Sequence, residues 1–185
     1  MRIIAGKFRG RKLATPDNSD IRPTGDRIRE SLFAILEARF GGLLNGARIL
    51  DLFAGTGALG LEAMSRGGQF CLFVENSSRA QGLVRTNIDN LGLKSETRIL
   101  RADATRLGPI GKIEPFDLVF ADPPYAKGLG QRAITCLVEG GWLNANAVIV
   151  VEDNAASPAP TLRSCIILDE RKFGDTKIRI AEFQS

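Results

Sequence analysis

The chain of 185 residues has no histidine, few cysteines and no apolar run long enough to cross a bilayer. A histidine general base and a histidine-ligated metal are therefore excluded. Cys71, Cys136 and Cys165 form no CxxC pair, which favours reduced thiols in a cytoplasmic protein over a disulfide framework or a zinc site. Because a membrane helix needs about 20 apolar residues and the first residues are too basic for a secretory signal, the sequence predicts neither insertion nor secretion.

Positive charge is concentrated at the start of the chain. Residues 1–30 contain eight basic and four acidic side chains, so this segment accounts for the whole net charge of +4. A basic segment next to a neutral remainder predicts contact with a polyanion such as a nucleic acid, although a solvated tail has the same composition. The candidate contact residues are Arg2, Lys7, Arg9, Arg11, Lys12, Arg22, Arg27 and Arg29.

The order of apolar patterns predicts an α/β fold. Residues 1–14 favour a short β ribbon, and the helical pattern that begins at residue 26 leaves Arg27 and Arg29 off its apolar stripe, available to solvent or phosphate. Strands and helices then alternate before a closing hairpin, which predicts a mostly parallel sheet with helices on both faces. We expect a basic nucleic-acid-binding extension over residues 1–45 and one globular domain over residues 46–185. The predicted strands are 48–53, 70–75, 97–102, 116–121, 147–151, 165–173 and 177–183, and the predicted helices within the domain are 58–66, 78–91 and 130–139.

A glycine-rich loop follows the first strand of the domain. Residues 55–60 read GTGALG, which matches the dinucleotide-binding pattern, and Glu75 closes the next strand at the spacing of a ribose-binding acid. A tight turn without a ligand has the same pattern. Asp51 separates the two ligand classes, because a carboxylate at the strand end repels a pyrophosphate but attracts the ammonium and sulfonium of S-adenosylmethionine. The loop therefore favours S-adenosylmethionine over NAD.

Two further acids follow later strands. Asp103 is a candidate acceptor for the adenine amine, with a helix N-cap as the alternative role. Asp122 opens the sequence DPPY at residues 122–125, where two prolines remove backbone donors. The Asp122 carboxylate and the Pro123 carbonyl can then accept both hydrogens of an amino group, and Tyr125 offers a face for a stacked base. If the strands that end near Asp51 and Asp122 are neighbours, both ligands share one crevice.

The motifs resemble a known family over nearly the whole chain. The sequence is similar to the bacterial small-subunit ribosomal RNA guanine-N2 methyltransferases of the RsmD type, which are class I S-adenosylmethionine enzymes. The last two of the matching blocks are shared with many methyltransferases of exocyclic amines, and the others are more particular to this family. The blocks are RIIAG (2–6), RGRKL (9–13), RPTGDRIRE (22–30), DLFAGTGALGLE (51–62) and FDLVFADPPY (116–125).

The resemblance implies a seven-stranded Rossmann-like fold and methyl transfer to N2 of a guanine in 16S ribosomal RNA, within the small subunit or its assembly intermediate. We expect a cytoplasmic monomer with no membrane contact that uses S-adenosylmethionine, releases S-adenosylhomocysteine and needs no metal. The candidate catalytic residues are Asp122, Pro123, Pro124 and Tyr125. The candidate cofactor-binding residues are Asp51, Phe53, Ala54, Gly55, Thr56, Gly57, Glu75, Asp103 and Ala104.

Other functions remain open alternatives. A DNA adenine-N6 methyltransferase has a similar DPPY motif but usually needs a larger target-recognition region, and a protein-glutamine methyltransferase is expected to have Asn in place of Asp122. An NAD-dependent dehydrogenase is disfavoured by Asp51 and by the missing histidine. A non-catalytic RNA-binding assembly factor would retain the basic segment without any need for the DPPY motif.

Overall fold

The protein contains four α-helices and seven β-strands in the part of the chain described by the computed structural model, which comprises residues 1–16, 25–124, 128–157 and 160–185. In chain order the elements are α1 (Asp26–Arg39), β1 (Arg48–Leu52), α2 (Ala58–Ser65), β2 (Phe70–Val74), α3 (Ser78–Leu91), β3 (Thr97–Leu100), β4 (Phe116–Ala121), α4 (Leu129–Glu139), β5 (Leu143–Asn154), β6 (Cys165–Phe173) and β7 (Thr176–Phe183).

All seven strands form one sheet with the order β3-β2-β1-β4-β5-β7-β6. The first five strands along the chain are mutually parallel, whereas β7 is antiparallel to both β5 and β6. The fold expectation of a mostly parallel sheet with an antiparallel C-terminal hairpin is confirmed. Strand β5 is longer than predicted because its ladder with β7 continues past the apolar run, as far as Asn154 opposite Thr176.

Alternating side chains of the strands supply a core on each face of the sheet. On one face, Phe120 packs with Phe33 of α1 at a ring-centroid distance of 5.7 Å, and helices α1, α2 and α3 cover this side. On the other face, Val119 packs in a second core with Ile134 and Leu137 of α4. The central strands therefore have no solvated face, which explains why they read as continuous apolar runs.

The first residues of the chain form the expected ribbon. An antiparallel bridge joins Arg2 and Lys12, and the Ile3 amide donates to the Arg11 carbonyl at 2.9 Å. Ile3 is fully buried and, with Leu13, belongs to the same core as α1 and α2. The ribbon is therefore packed onto the body of the protein.

Helix α2 holds the ribbon through a buried carboxylate. Glu62 accepts hydrogen bonds from the amides of Ile4 and Ala5, at 2.7 and 3.0 Å, and from Nε of Arg66 at 2.8 Å. The backbones meet at Gly6, which has a φ of +79°, and a Cβ there would lie 1.9 Å from the Ser65 carbonyl oxygen. Only glycine fits this approach.

Among the described residues, no helix has the length and apolar character needed to span a membrane.

Candidate active site

A cleft of about 1000 Å³ lies beyond the carboxyl ends of the parallel strands. Strands β1 and β4 are neighbours, with Leu52 opposite Ala121, so Asp51 and Asp122 both line this one cleft. Open α/β sheets bind ligands at this edge. The structure thus brings together the glycine loop and the start of the DPPY motif, which are seventy residues apart in sequence.

The glycine loop turns sharply between β1 and α2. Phe53, Gly55 and Gly57 all have positive φ angles, of 56°, 58° and 77°, and the Gly57 amide donates to the Ala54 carbonyl at 2.7 Å. Gly57 is the N-cap of α2 and contributes no side chain that could occupy the first amides of the helix. The turn lines the cleft with Phe53, Ala54, Gly55 and Thr56, and at Gly55 only the backbone separates the cleft from the turn.

Glu75 is fixed at the end of β2 by two backbone amides. Its Oε2 accepts from Gly55 at 2.9 Å and its Oε1 accepts from Ser77 at 2.8 Å. Each carboxylate oxygen retains a second acceptor site after these bonds. The carboxylate lines the cleft and is therefore oriented in advance for a pair of hydroxyl groups.

Asp51 is a buried acid beneath the loop. Its Oδ2 accepts from the Gly60 amide at 2.9 Å. Burial raises its pKa well above the usual range, the carboxylates of Asp122 and Glu75 add to this rise, and the Gly60 hydrogen bond opposes it. A cation bound in the cleft would compensate this unfavourable concentration of negative charge.

The chemistry of the cleft fits S-adenosylmethionine better than a dinucleotide. The Asp51 carboxylate already occupies an amide in the first turn of α2, which is where a dinucleotide would place its pyrophosphate. The same carboxylate attracts a sulfonium or an ammonium, and Glu75 offers acceptors to ribose hydroxyls. Within the described ranges, no group of three or more histidine, cysteine or acidic side chains is arranged to hold a metal ion.

Asp103 caps the short 3₁₀ turn at Ala104–Arg106, which is the alternative role predicted for it beside an adenine contact. Its Oδ1 accepts from the amide and the hydroxyl of Thr105, at 2.9 and 2.7 Å, and these bonds lower the pKa of Asp103. Asp103 and Thr105 line the cleft, whereas the side chain of Ala104 is buried in the core beneath α4. Ala104 does not line the cleft, and its place in the cofactor site stays a prediction.

The DPPY motif begins where β4 ends. Asp122 is half-buried, Pro123 is buried and Pro124 is exposed, and all three line the cleft. Tyr125 lies outside the described residues, so its stacking role stays a prediction.

The basic candidates divide into exposed and buried groups. Arg29 is fully buried, and its Nη2 donates to the Arg2 carbonyl at 2.6 Å and to Asp26 at 2.7 Å. The prediction that Arg29 is available to RNA is wrong, because the packed ribbon covers this turn of α1. Arg22 lies outside the described residues. The exposed members are Arg2, Lys7, Arg9, Arg11, Lys12 and Arg27, of which Arg11 donates to the Asn90 carbonyl at 3.0 Å.

Several residues that line the cleft belong to no recognisable sequence motif. The cleft is also lined by Ile28 of α1, Ser77 after β2, Glu152 in the C-terminal part of β5 and Thr176 at the start of β7. Ser77 had a local signal, since it follows Glu75 by two residues. The others reach the cleft through the strand order and the packing of α1, which no spacing in the sequence reveals.

Comparison with known proteins identifies the family. The chain matches the family described as "Conserved hypothetical protein 95" over residues 1–182. A relative named "Ribosomal RNA small subunit methyltransferase D" from Haemophilus influenzae is 35% identical over 182 residues, which cover 97% of this chain and 92% of the relative. The protein of the same name from Escherichia coli K12 is 38% identical over 162 residues, covering 88% and 79% of the two chains.

A solved structure shares the whole fold. It is described as a putative methyltransferase from Escherichia coli, is 33% identical in sequence, and superposes with a TM-score of 0.85 over 100% of this chain and 98% of that chain. The fold, the cleft and these relatives agree with the resemblance carried by the sequence motifs. The chain therefore belongs to the ribosomal RNA small subunit methyltransferase D family.

Proposed function

We propose that this protein transfers a methyl group from S-adenosylmethionine to the exocyclic N2 amine of a guanine in 16S ribosomal RNA. The observation that carries the proposal is the shared cleft, in which the acid of the cofactor loop and the acid of the DPPY motif end adjacent parallel strands. The guanine and the ribosomal substrate follow from membership of the family. The small subunit or its assembly intermediate is the proposed partner, which implies action in the cytoplasm, and the proposed active form is a monomer.

Different residues of the cleft are proposed to bind different parts of the cofactor. Glu75 would accept hydrogen bonds from the ribose hydroxyls, because the amides of Gly55 and Ser77 already fix the orientation of its carboxylate. Asp51 would attract the positive end of the cofactor, and Asp103 with Thr105 forms the wall proposed for the adenine. When bound, S-adenosylmethionine supplies an electrophilic methyl group, so that the new N–C bond forms as the S–C bond breaks and the electron pair stays on sulfur.

The DPPY residues would orient the amine. Hydrogen bonds from N2 to the Asp122 carboxylate and the Pro123 carbonyl would turn its lone pair out of conjugation with the ring, and Asp122 can take the proton that N2 loses. The prolines supply no N–H that could compete for these acceptors. Most of the acceleration then comes from orientation and from preorganised charge. A base in a helix must be turned out to reach this cleft.

The decisive test is methyl transfer from labelled S-adenosylmethionine to small subunits isolated from a strain that lacks this protein. Free 16S RNA, duplex DNA and bulk protein are assayed in parallel, and mass spectrometry of the digested product locates the label. We expect the label on N2 of one guanine, with S-adenosylhomocysteine as the second product. Label on DNA adenine or on protein would contradict the substrate, and an absence of both transfer and cofactor binding would contradict the enzyme.

Asp51 should make cofactor binding depend on pH. Because its pKa is raised, Asp51 ionises at a higher pH than an ordinary aspartate, and the ionised form is the one that attracts a cation. We expect the affinity for S-adenosylmethionine to rise with pH above the ordinary aspartate value of about 4 in the native protein. In Asp51→Asn the affinity should be about 10- to 100-fold weaker, the range for a hydrogen bond to a charged group, and nearly constant with pH. Titration calorimetry at several pH values measures this.

The Asp51→Asn variant also allows the effect of Asp51 on cofactor binding to be distinguished from its effect on the stability of the fold. A raised folded-state pKa means that the unliganded protein loses stability as the pH rises above the unfolded value of about 4. Asp51→Asn should remove this loss, so its unliganded melting temperature at pH 7 should equal or exceed that of the native protein. Asp89→Asn, on the exposed face of α3, is the matched control and should change neither the affinity for S-adenosylmethionine nor the melting temperature. If cofactor affinity in Asp51→Asn still rises with pH as in the native protein, Asp51 is not the group that attracts the cofactor.

The exposed basic residues of the first segment are proposed to bind RNA phosphates. Replacing Arg9, Lys12 and Arg27 together with glutamine should weaken binding to small subunits and reduce the dependence of log K on log salt. Each lost contact removes about 0.7 to 0.9 from that slope.

Filter binding at salt concentrations from 50 to 300 mM provides the measurement. The control replaces three exposed cations elsewhere with glutamine, namely Lys112, Arg163 and Lys172. Equal changes of slope in the two triple variants would mean that net charge, and not the N-terminal segment, governs binding.

A further inference from the structure

Glu152 lies in the C-terminal part of β5, beside the DPPY motif. Strands β4 and β5 pair in parallel, with Phe120 opposite Val150 and Ala121 opposite Val151, so the next positions along these strands are Asp122 and Glu152. Backbones of paired strands are about 4.8 Å apart. Glu152 is almost fully buried and lines the cleft together with Asp122.

The two carboxylates also lie on the same face of the sheet. Phe120 and Val150 both belong to the core beneath α1, α2 and α3, and side chains two residues further along a strand return to that face. Thr176 of β7 lines the same end of the cleft with a hydroxyl group. Strands β4 and β5 therefore present two carboxylates side by side, whereas Thr176 lies two positions further along, opposite Asn154.

This arrangement matches the Watson–Crick edge of guanine. That edge presents the N2 amine, the N1–H donor and the O6 acceptor in order, whereas adenine and cytosine have a bare ring nitrogen beside their amine. An ionised carboxylate only accepts hydrogen bonds, so it attracts N1–H of guanine and repels the lone pair of the other two bases. Enzymes that act on an extruded base commonly read this edge.

We propose that Glu152 determines the choice of base by accepting the N1–H of guanine while Asp122 accepts the N2 amine. This inference rests on the proposed function and extends it from the reacting amine to the recognition of the base. Discrimination should be strong, because a base that lacks the donor loses a hydrogen bond to a charged acceptor.

The test compares two substrates that carry the same amine. Small subunits are reconstituted with the target guanine either intact or replaced by 2-aminopurine, which retains the N2 amine but has a bare N1 and no O6. For the native protein we expect kcat/KM to be about 10- to 100-fold higher with guanine, the range for a hydrogen bond to a charged group. In Glu152→Gln the amide can donate to the bare N1, so the preference should fall to within about threefold.

Comparing the preferences of the two proteins isolates the N1 contact, because the missing O6 affects 2-aminopurine in both proteins and a general loss of activity affects both substrates of one protein. Glu139→Gln, on the exposed end of α4, is the matched control and should keep the native preference. Calorimetry with S-adenosylmethionine verifies that Glu152→Gln is folded. An unchanged preference in Glu152→Gln, or an equal loss on both substrates, would overturn the inference. A native protein that modifies no guanine would instead overturn the proposed function.

Discussion

Replacing Asp122 with alanine is expected to lower kcat for methyl transfer by about a thousandfold or more, since loss of one preorganised group at a reacting centre costs about 10²–10³ and Asp122 also receives the proton. Its carboxylate lies in the cleft at the end of β4, next to the strand that holds Asp51. Because Asp122 is proposed to contact the acceptor and not the cofactor, the affinity for S-adenosylmethionine should stay within a few fold of the native value.

The measurement pairs single-turnover methyl transfer on small subunits with calorimetry of cofactor binding. Asp122→Asn is the informative companion, because its amide retains one acceptor but cannot take the proton, and it should recover only part of the activity. Asp89→Ala, an exposed substitution on α3, should behave as the native protein does. A parallel loss of cofactor affinity and transfer in Asp122→Ala would indicate a structural role and contradict the catalytic one.

Replacing Glu62 with alanine should produce the largest loss of stability among the substitutions considered. The buried carboxylate accepts from the amides of Ile4 and Ala5 and from Nε of Arg66. Its removal leaves two amides and one cation without their acceptor, and breaking a buried pair costs about 3–5 kcal/mol. Arg66 is partly exposed, so we expect the lower end of this range. For a chain of this length 3 kcal/mol lowers the melting temperature by about 6–12 °C.

The same substitution should affect RNA binding, because Glu62 connects the basic ribbon to the helix that follows the glycine loop. Binding to small subunits should weaken even though Glu62 itself touches no solvent. Glu37→Ala is a matched control, since Glu37 also faces Arg66, at 4.0 Å, but is exposed. Exposed pairs contribute at most about 1 kcal/mol. Differential scanning calorimetry measures the stability of both variants. Equal destabilisation in Glu37→Ala and Glu62→Ala would contradict the role assigned to the buried carboxylate.

The regular elements were predictable because their signals are local. Strand β4 and helix α3 have the predicted bounds, since a dense apolar run and a helical stripe ended by Gly92 depend only on nearby residues. Strand β5 was predicted too short, because its start pairs with β4 and its polar C-terminal end pairs with β7, which their own composition does not indicate. Arg29 was misplaced for a similar reason, because its main acceptor outside α1 is the Arg2 carbonyl, far away in sequence.

Local sequence patterns are enough to predict the α/β class, the glycine loop and the two strand-end acids Asp51 and Asp122, because periodicity and short motifs are properties of neighbouring residues. The folded chain was needed to show that these acids share one cleft, that Glu152 lies beside Asp122 and that Glu62 anchors the ribbon. Each of these depends on strand order and packing between distant segments. The physical reason is that burial and hydrogen-bond partners are fixed by which parts of the chain meet in space.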